Sequence, residues 1–227
     1  MKLRTQAALV LTSVVAVAVA VPGILHLRSL ESSLRASIRG TLSGAAGAAA
    51  ESIARFLDDS LRDARAVARA LPRGPLDGGD VAGMEATLRA LSQIYPQFQN
   101  GLFVLDATGA LVVDYPPHPG LRGRRFDFRE YFQRTMAEGR GVVGRPYRSA
   151  RTGEPVLTFT ALLTDPEGRP VGVLGCSVRL LSPQALGGLR SARVGRSGSV
   201  YVYDADGLMI LHPDEKRVLK RDTLAAR

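Results

Sequence analysis

Apolar residues recur every three or four positions at Leu27, Leu30, Leu34, Ile38 and Leu42. The same period continues at Ile53, Phe56, Leu57, Leu61, Ala64, Val67, Ala68 and Leu71, which predicts one long amphipathic helix. Gly40, Gly44 and Gly47 each weaken such a helix by up to about 1 kcal/mol relative to Ala. With Ala45, Ala46 and Ala48 they also leave a small-residue face that another helix can approach closely, so either a dimer stalk or plain tolerance of glycine accounts for them. Leu71-Pro72-Arg73-Gly74-Pro75 stops the helix and Gly78-Gly79 extends the break. A shorter helix is predicted from about Val81 to Ile94, ended by Tyr95-Pro96.

The pattern then changes to short apolar runs. Gly101 to Asp106 and Ala110 to Asp114, joined by Ala107-Thr108-Gly109, predict a hairpin with glycine at the position that needs a positive φ. Val156 to Leu163 and Pro170 to Leu180 predict a second hairpin around Thr164-Asp165-Pro166-Glu167-Gly168. Between them lie a proline-rich excursion, Tyr115 to Gly120, and a helix predicted over Phe128 to Glu138. Asp127 and Glu130 have the spacing of a capping box for it, and Gly139 suits the left-handed position at its end. Phe103-Val104-Leu105-Asp106-Ala107-Thr108-Gly109 recurs as Tyr201-Val202-Tyr203-Asp204-Ala205-Asp206-Gly207, which predicts a second copy of the first hairpin.

Thr5 to Leu27 carries no formal charge, and Ala7 to Val21 is almost wholly apolar, long enough with the residues after it to cross the roughly 30 Å hydrocarbon core of a bilayer. Lys2 and Arg4 precede it, so the positive-inside tendency sends everything after Leu27 to the far side of the membrane. The alternative is a signal peptide cleaved after Ala20, since Ala18-Val19-Ala20 is a small-x-small site. Either way the destination is extracytoplasmic.

With 227 residues, 45% of them hydrophobic, the chain can bury a core. Its net charge of +9 raises nucleic acid as a partner, but the charge is almost all arginine, spread along the chain without a basic block or interleaved aromatics, and nucleic acid is not expected. Cys176 stands alone in an apolar run, where a small buried thiol is the ordinary reading. His26, His118 and His212 have no metal-ligand spacing, and no P-loop, nucleophile elbow or kinase signature is present. Gly195-Arg196-Ser197-Gly198 lacks the Lys-Ser/Thr that phosphate binding needs, and Asp58-Asp59 fall on the long helix as a solvated face. No metal, cofactor or catalytic constellation is expected.

Three segments together resemble the double Cache family of bacterial sensor domains. Asp127-Phe128-Arg129-Glu130-Tyr131-Phe132 is similar to its Arg-x-aromatic-aromatic ligand segment. Gly153-Glu154-Pro155 with the two following strands is the second, and Gly195 to Tyr201 through His212-Pro213 resembles the opening of a membrane-proximal module. The resemblance implies an α+β fold of tandem PAS-like modules, the distal one binding a small metabolite and passing a displacement down the long helix. The implied divisions are 1–27 for the cytoplasmic start and transmembrane helix, 28–72 for the stalk, 73–182 for the distal ligand-binding module and 183–227 for the start of a proximal module that ends incomplete.

The chemistry of these residues suits an anion. Arg129 offers a bidentate fork to a carboxylate, and the first-turn amides with the helix dipole favour negative charge. Tyr131 adds a hydroxyl donor, and the resemblance implies that Phe132 of the same segment belongs to the ligand site. On the residues alone the better reading is that Arg129 pairs with a surface carboxylate while Tyr131 and Phe132 fill core; the family resemblance is what favours the ligand role. Tyr147 and Arg148 lead into the next strand, and Thr158 and Thr160 share one of its faces, as pocket lining or as ordinary sheet residues. Family members that bind amino acids resemble one another in a Tyr five residues before the arginine and an Asp near the end of the last distal strand. Those positions are here Arg124 and Ser177, so the implied ligand is an organic acid without an amine.

The expectation is therefore a periplasmic or extracellular sensor on the inner membrane, homodimeric through its stalk, with an output domain (histidine kinase, chemoreceptor or cyclic-nucleotide enzyme) outside this chain. The rival readings are a periplasmic binding or envelope-interaction protein released by cleavage and an extracytoplasmic enzyme with a PAS-like accessory domain.

Overall fold

The computed structural model describes residues 2–72, 80–190, 192–195 and 198–221; the side chains of residues 2–20 and 24 lie outside that description. The break expected over Arg73 to Gly79 and the turn at Arg196-Ser197 fall outside it as well. Helix α1 runs Lys2–Ala70 and continues through Pro22. Among the described residues no helix is long and apolar enough to cross a membrane, and most of the span expected over Thr5 to Leu27 consists of residues whose side chains are not described.

The chain divides into two compact units, Met1–Ala48 and Ala49–Arg227. In the first, the stripe Leu27, Leu30, Leu34, Ile38 and Leu42 is exposed. In the second, the same period is buried: Ala64, Val67 and Leu71 are core residues, and Ile53, Phe56, Leu57, Leu61 and Ala68 pack against them. The last turns of α1 therefore belong to the core of the α+β unit.

Helix α2, Val81–Ile94, begins where the sequence predicts, capped by Asp80, whose Oδ1 accepts from the Gly83 amide at 2.8 Å. Strands β1 (Gly101–Asp106), β2 (Leu111–Tyr115), β3 (Tyr147–Arg148), β4 (Pro155–Thr164) and β5 (Pro170–Arg179) form one antiparallel sheet in the order β2-β1-β5-β4-β3. Alternation divides its residues between two faces. Leu102, Val104, Leu157, Phe159, Ala161, Leu174, Cys176 and Val178 join α1 and α2 in the larger core. Leu105, Leu111 and Val173 join Leu121, Phe126, Tyr131 and Phe132 in a smaller one on the other face.

Helix α3 spans Glu130–Glu138, two residues later than predicted. Its N-cap is Arg129, without a side-chain capping bond, and the expected capping box does not form. Asp127 is instead held by Arg125, through Nη2 at 3.0 Å and Nε at 3.3 Å, which draws its carboxyl below the ordinary carboxylate value. Gly139 ends α3 in the left-handed conformation, as expected.

Beyond β5, Pro183–Gly187 and Gly188–Arg190 form short helical turns, followed by two small ladders, β6 (Arg193–Val194) with β7 (Gly198–Ser199) and β8 (Val202–Tyr203) with β9 (Met209–Leu211). The repeated sequence folds as a repeated turn. Asp106 Oδ1 accepts from the amides of Thr108 and Ala110, and Asp204 Oδ1 from those of Asp206 and Leu208. The likeness extends past the turn. Leu111 exchanges backbone bonds with Gly123 and Arg124, and Met209 does so with Leu219 and Lys220.

Candidate functional site

The smaller core encloses a cavity of about 50 Å³ whose lining includes Asn100, Phe103, Asp114, Arg129, Tyr131, Tyr147, Ser149 and Arg151. The Phe103 ring lies across the sheet over Gly175, where a Cβ would collide with it, so only glycine leaves the ring this position. Tyr131 packs edge-on to Phe103 with centroids 6.0 Å apart, and tilted against Tyr147 at 5.6 Å. Burial pushes the Tyr131 hydroxyl well above its ordinary value, reinforced by Tyr147 and opposed by Arg129. Burial likewise raises Tyr147, against the bonds from Thr158 and Tyr131. Both phenols therefore remain neutral donors at physiological pH.

Arg129 is placed by the turn that starts α3, its amide donating to Phe126 O at 3.0 Å. Its guanidinium carbon lies 5.0 Å from the Phe128 ring centre and 4.5 Å from that of Tyr147. Aromatic faces stabilise a cation without using its N–H groups. The Nε of Arg129 is buried and has no hydrogen-bond partner. The surface ion pair allowed by the sequence is absent for Arg129 among the described residues.

A chain of polar side chains underlies the cavity. Tyr147 OH and Thr158 Oγ1 are 2.9 Å apart, and Thr158 donates to Ser177 Oγ at 3.3 Å. Asn100 Nδ2 donates to Ser177 Oγ at 3.0 Å, and Thr152 Oγ1 to Asn100 Oδ1 at 3.0 Å. Antiparallel register brings Thr158 opposite Ser177 and Ser177 opposite Gly101, which joins three strands in one network.

Of the residues singled out from sequence, the structure thus gathers Arg129, Tyr131, Tyr147, Thr158 and Ser177. Phe132 is buried in the smaller core but does not line the cavity. Thr160 faces α3: its Oγ1 sits 2.6 Å from Thr135 Oγ1 and accepts from the Val142 amide at 2.8 Å, which satisfies it as a structural hydroxyl. Arg148 is exposed and donates to Gly153 O at 3.1 Å, away from the cavity lining.

Sequence reasoning missed Asn100, Asp114 and Arg151. Asp114 is fully buried on β2; its Oδ2 accepts from Arg151 Nη2 at 2.6 Å and from the His118 amide at 3.0 Å. Arg151 also donates to Pro116 O, tying the Ser149 to Gly153 turn to the proline-rich excursion. The signal was present in the strand Leu111-Val112-Val113-Asp114-Tyr115, where a lone charge interrupts an apolar run. The expectation of an amine-free acid rested on Ser177 standing where amino-acid-binding members carry an Asp, with Arg124 in place of their Tyr. A buried carboxylate, Asp114, nevertheless lines the cavity from a different strand.

A wider cleft of about 430 Å³ beside the end of α1 is bordered by Arg65, Arg69 and Arg140. Its arginines are exposed and no buried polar atom there lacks a partner among the described residues.

The chain is similar in structure to the ligand-binding domain of the Pseudomonas aeruginosa PAO1 amino acid chemoreceptor PctC in complex with GABA: TM-score 0.64, 22% identity, 79% of this chain and 78% of that one. It is likewise similar to the ligand-binding domain of the Pseudomonas fluorescens chemoreceptor CtaA in complex with L-serine, with TM-score 0.62, 22% identity, and 77% and 72% covered. An extracellular ligand binding receptor from Desulfohalobium retbaense matches with TM-score 0.65 and 21% identity over 80% of this chain and 33% of that one. These likenesses establish a shared fold. None of the curated proteins compared matches the chain. The family model for the Cache domain matches residues 30–226, and with that match over most of its length the chain belongs to the Cache domain family.

Proposed function

We propose that this chain is the extracytoplasmic sensor portion of a receptor, which binds a small carboxylate-bearing metabolite at Arg129 and passes the signal to an output domain. The observation that carries the reading is Arg129: held between two aromatic rings, with a buried Nε lacking a partner, on a cavity walled by the rings of Phe103, Tyr131 and Tyr147. A carboxylate satisfies the guanidinium and exchanges no existing ion pair to do so.

The uncharged segment Thr5 to Leu27 supports an anchor in the inner membrane, and the exposed stripe Leu27 to Leu42 supports a second copy of the helix as partner. The repeated hairpin supports 183–227 as the start of a second, membrane-proximal module after a distal module over 73–182. A link between the site and that hairpin runs from the residue next to Arg129. Glu130 Oε2 accepts from the Arg145 amide at 3.0 Å, and Arg145 Nη1 reaches Asp206 Oδ2 at 2.9 Å. Closure of α3 on a ligand is read at Asp206 through this link.

A thermal-shift screen of the folded chain against carboxylic acids, amino acids and other small metabolites tests the proposal, because a ligand bound only by the native state raises its melting temperature. Stabilisation by a carboxylate that is lost in Arg129→Ala is expected. Stabilisation retained in that variant overturns the site.

A further inference from the structure

We infer that the cleft at the C-terminal end of α1 is a second binding site, for a phosphate monoester carried on a compact apolar group. It is separate from the cavity at Arg129 and does not depend on what binds there.

The supply of counter-ions along α1 stops where the cleft begins. Arg35, Arg55 and Arg62 each pair with an acid three or four residues earlier, Glu31, Glu51 and Asp59 respectively. The corresponding positions are Leu61 and Arg62 for Arg65, and Arg65 and Ala66 for Arg69. Neither arginine has an ion pair or hydrogen bond among the described residues. They stand one helical turn apart, where like charges repel. The helix dipole accounts for Arg69 in the last turn, but its field has faded by Arg65. A third arginine comes from the turn after α3. Gly139 reverses the chain in the left-handed conformation, and Gly141 lies against β4, where a Cβ would collide with Thr160 O. Arg140, between them, borders the cleft with its Nη2 2.6 Å from Glu138 Oε2. Glu138 also accepts from Arg134 Nε at 2.9 Å, so one carboxylate serves two guanidiniums. No acidic residue is among the described residues that line the cleft.

Guanidinium groups recognise carboxylates and phosphates through paired N–H donors. A carboxylate occupies one such fork with its two oxygens and carries a single charge. A phosphate monoester brings three acceptor oxygens and a charge of roughly −1.5 to −2, which matches the two unpaired arginines and leaves an oxygen for Arg140. The cleft, at about 430 Å³, falls in the range of small-molecule sites and is far larger than a phosphate. The rest of its lining is largely apolar and includes Ala68, Leu71, Ala161, Leu163 and Val171, which suits an apolar group esterified to the phosphate. Leu71 and Ala161 belong to the larger core, so this part of the cleft is fixed by the fold.

The test is a calorimetric titration of the full chain, at constant ionic strength, with phenyl phosphate, inorganic phosphate, phenol and a short-chain phosphatidate. Phenyl phosphate should bind more tightly than inorganic phosphate, and phenol should not bind. Affinity should fall roughly tenfold or more when the two exposed arginines are replaced together, Arg65→Ala with Arg69→Ala. It should fall as well in Arg65→Lys with Arg69→Lys, which keeps the charges and loses the forks. Binding should persist in Arg129→Ala. Tighter binding of the phosphatidate than of phenyl phosphate assigns the ester to a lipid headgroup, and the reverse assigns it to a soluble metabolite. Phenyl phosphate that fails to bind folded protein, binds the alanine pair as well as the parent chain, or is lost in Arg129→Ala overturns the cleft as a site. Unchanged affinity in the lysine pair reduces recognition to bare charge, and inorganic phosphate binding as tightly as its ester removes the apolar group; either result overturns the ligand class.

Discussion

Replacing Phe159 by alanine perturbs the contact that fastens the sheet to the long helix. Phe159 is fully buried on β4, its ring 5.8 Å from that of Phe56 on α1 in an edge-to-face arrangement and 6.3 Å from that of Phe98. Truncating a buried phenylalanine removes its transfer free energy and leaves a cavity, about 3–5 kcal/mol together. For a unit of this size each kcal/mol moves the melting temperature by about 2–4 °C, so a fall on the order of 6–20 °C is expected. Urea denaturation followed by circular dichroism should give a lower midpoint with an unchanged m-value. Because the edge-to-face pair contributes beyond its area, a cycle with Phe56→Ala should return a coupling of about 0.5–1.5 kcal/mol. A loss below about 1 kcal/mol for Phe159→Ala, or strict additivity with Phe56→Ala, would refute the placement of α1 on this face.

Three further outcomes follow from named contacts. Gly175→Ala puts a Cβ into the Phe103 ring and should cost about 1–3 kcal/mol while weakening ligand binding, as the displaced ring enters the cavity; calorimetry of the variant checks both. Tyr147→Phe removes the hydroxyl that bonds Thr158 and should cost about 1 kcal/mol in urea denaturation, with the Arg129 stacking face retained. Burial and the Asp59 charge raise the Asp63 carboxyl above its ordinary value of 3.8, so the native state holds that proton more tightly than the unfolded chain. Stability contributed by Asp63 is therefore greatest below 3.8 and declines as pH rises toward its raised native value. Asp63→Asn, which can still accept from Gln97, should flatten that part of the pH profile and be at least as stable at pH 7; a steeper profile would contradict the sign.

Elements whose signal is local were legible in the sequence. The period from Ile53 to Leu71 gave the buried face of α1, Gly78-Gly79 and Tyr95-Pro96 bracket α2, and the Asp-x-x-Gly turns place both copies of the repeated hairpin. The start of α3 was misplaced because Asp127 and Glu130 have capping spacing while Arg125 and Arg145 compete for their carboxylates. Tertiary bonds decided that contest. The site was legible where aromatic and arginine residues cluster in one segment, as at Arg129 and Tyr131. Asn100, Asp114 and Arg151 come from three separate segments, and only sheet register and the proline-rich excursion bring them together. Thr158 and Thr160 share a strand face, yet Thr160 bonds Thr135 of α3 while Thr158 bonds Tyr147 and Ser177, which strand alternation alone cannot distinguish.

The most direct test of the account is a crystal structure of the domain with the most stabilising acid from the screen. The account predicts ligand density in the cavity between Phe103, Tyr131 and Tyr147, with a carboxylate oxygen within hydrogen-bond distance of Arg129 Nε. A ligand seated instead in the cleft of Arg65 and Arg69, with the Arg129 guanidinium untouched, would contradict it.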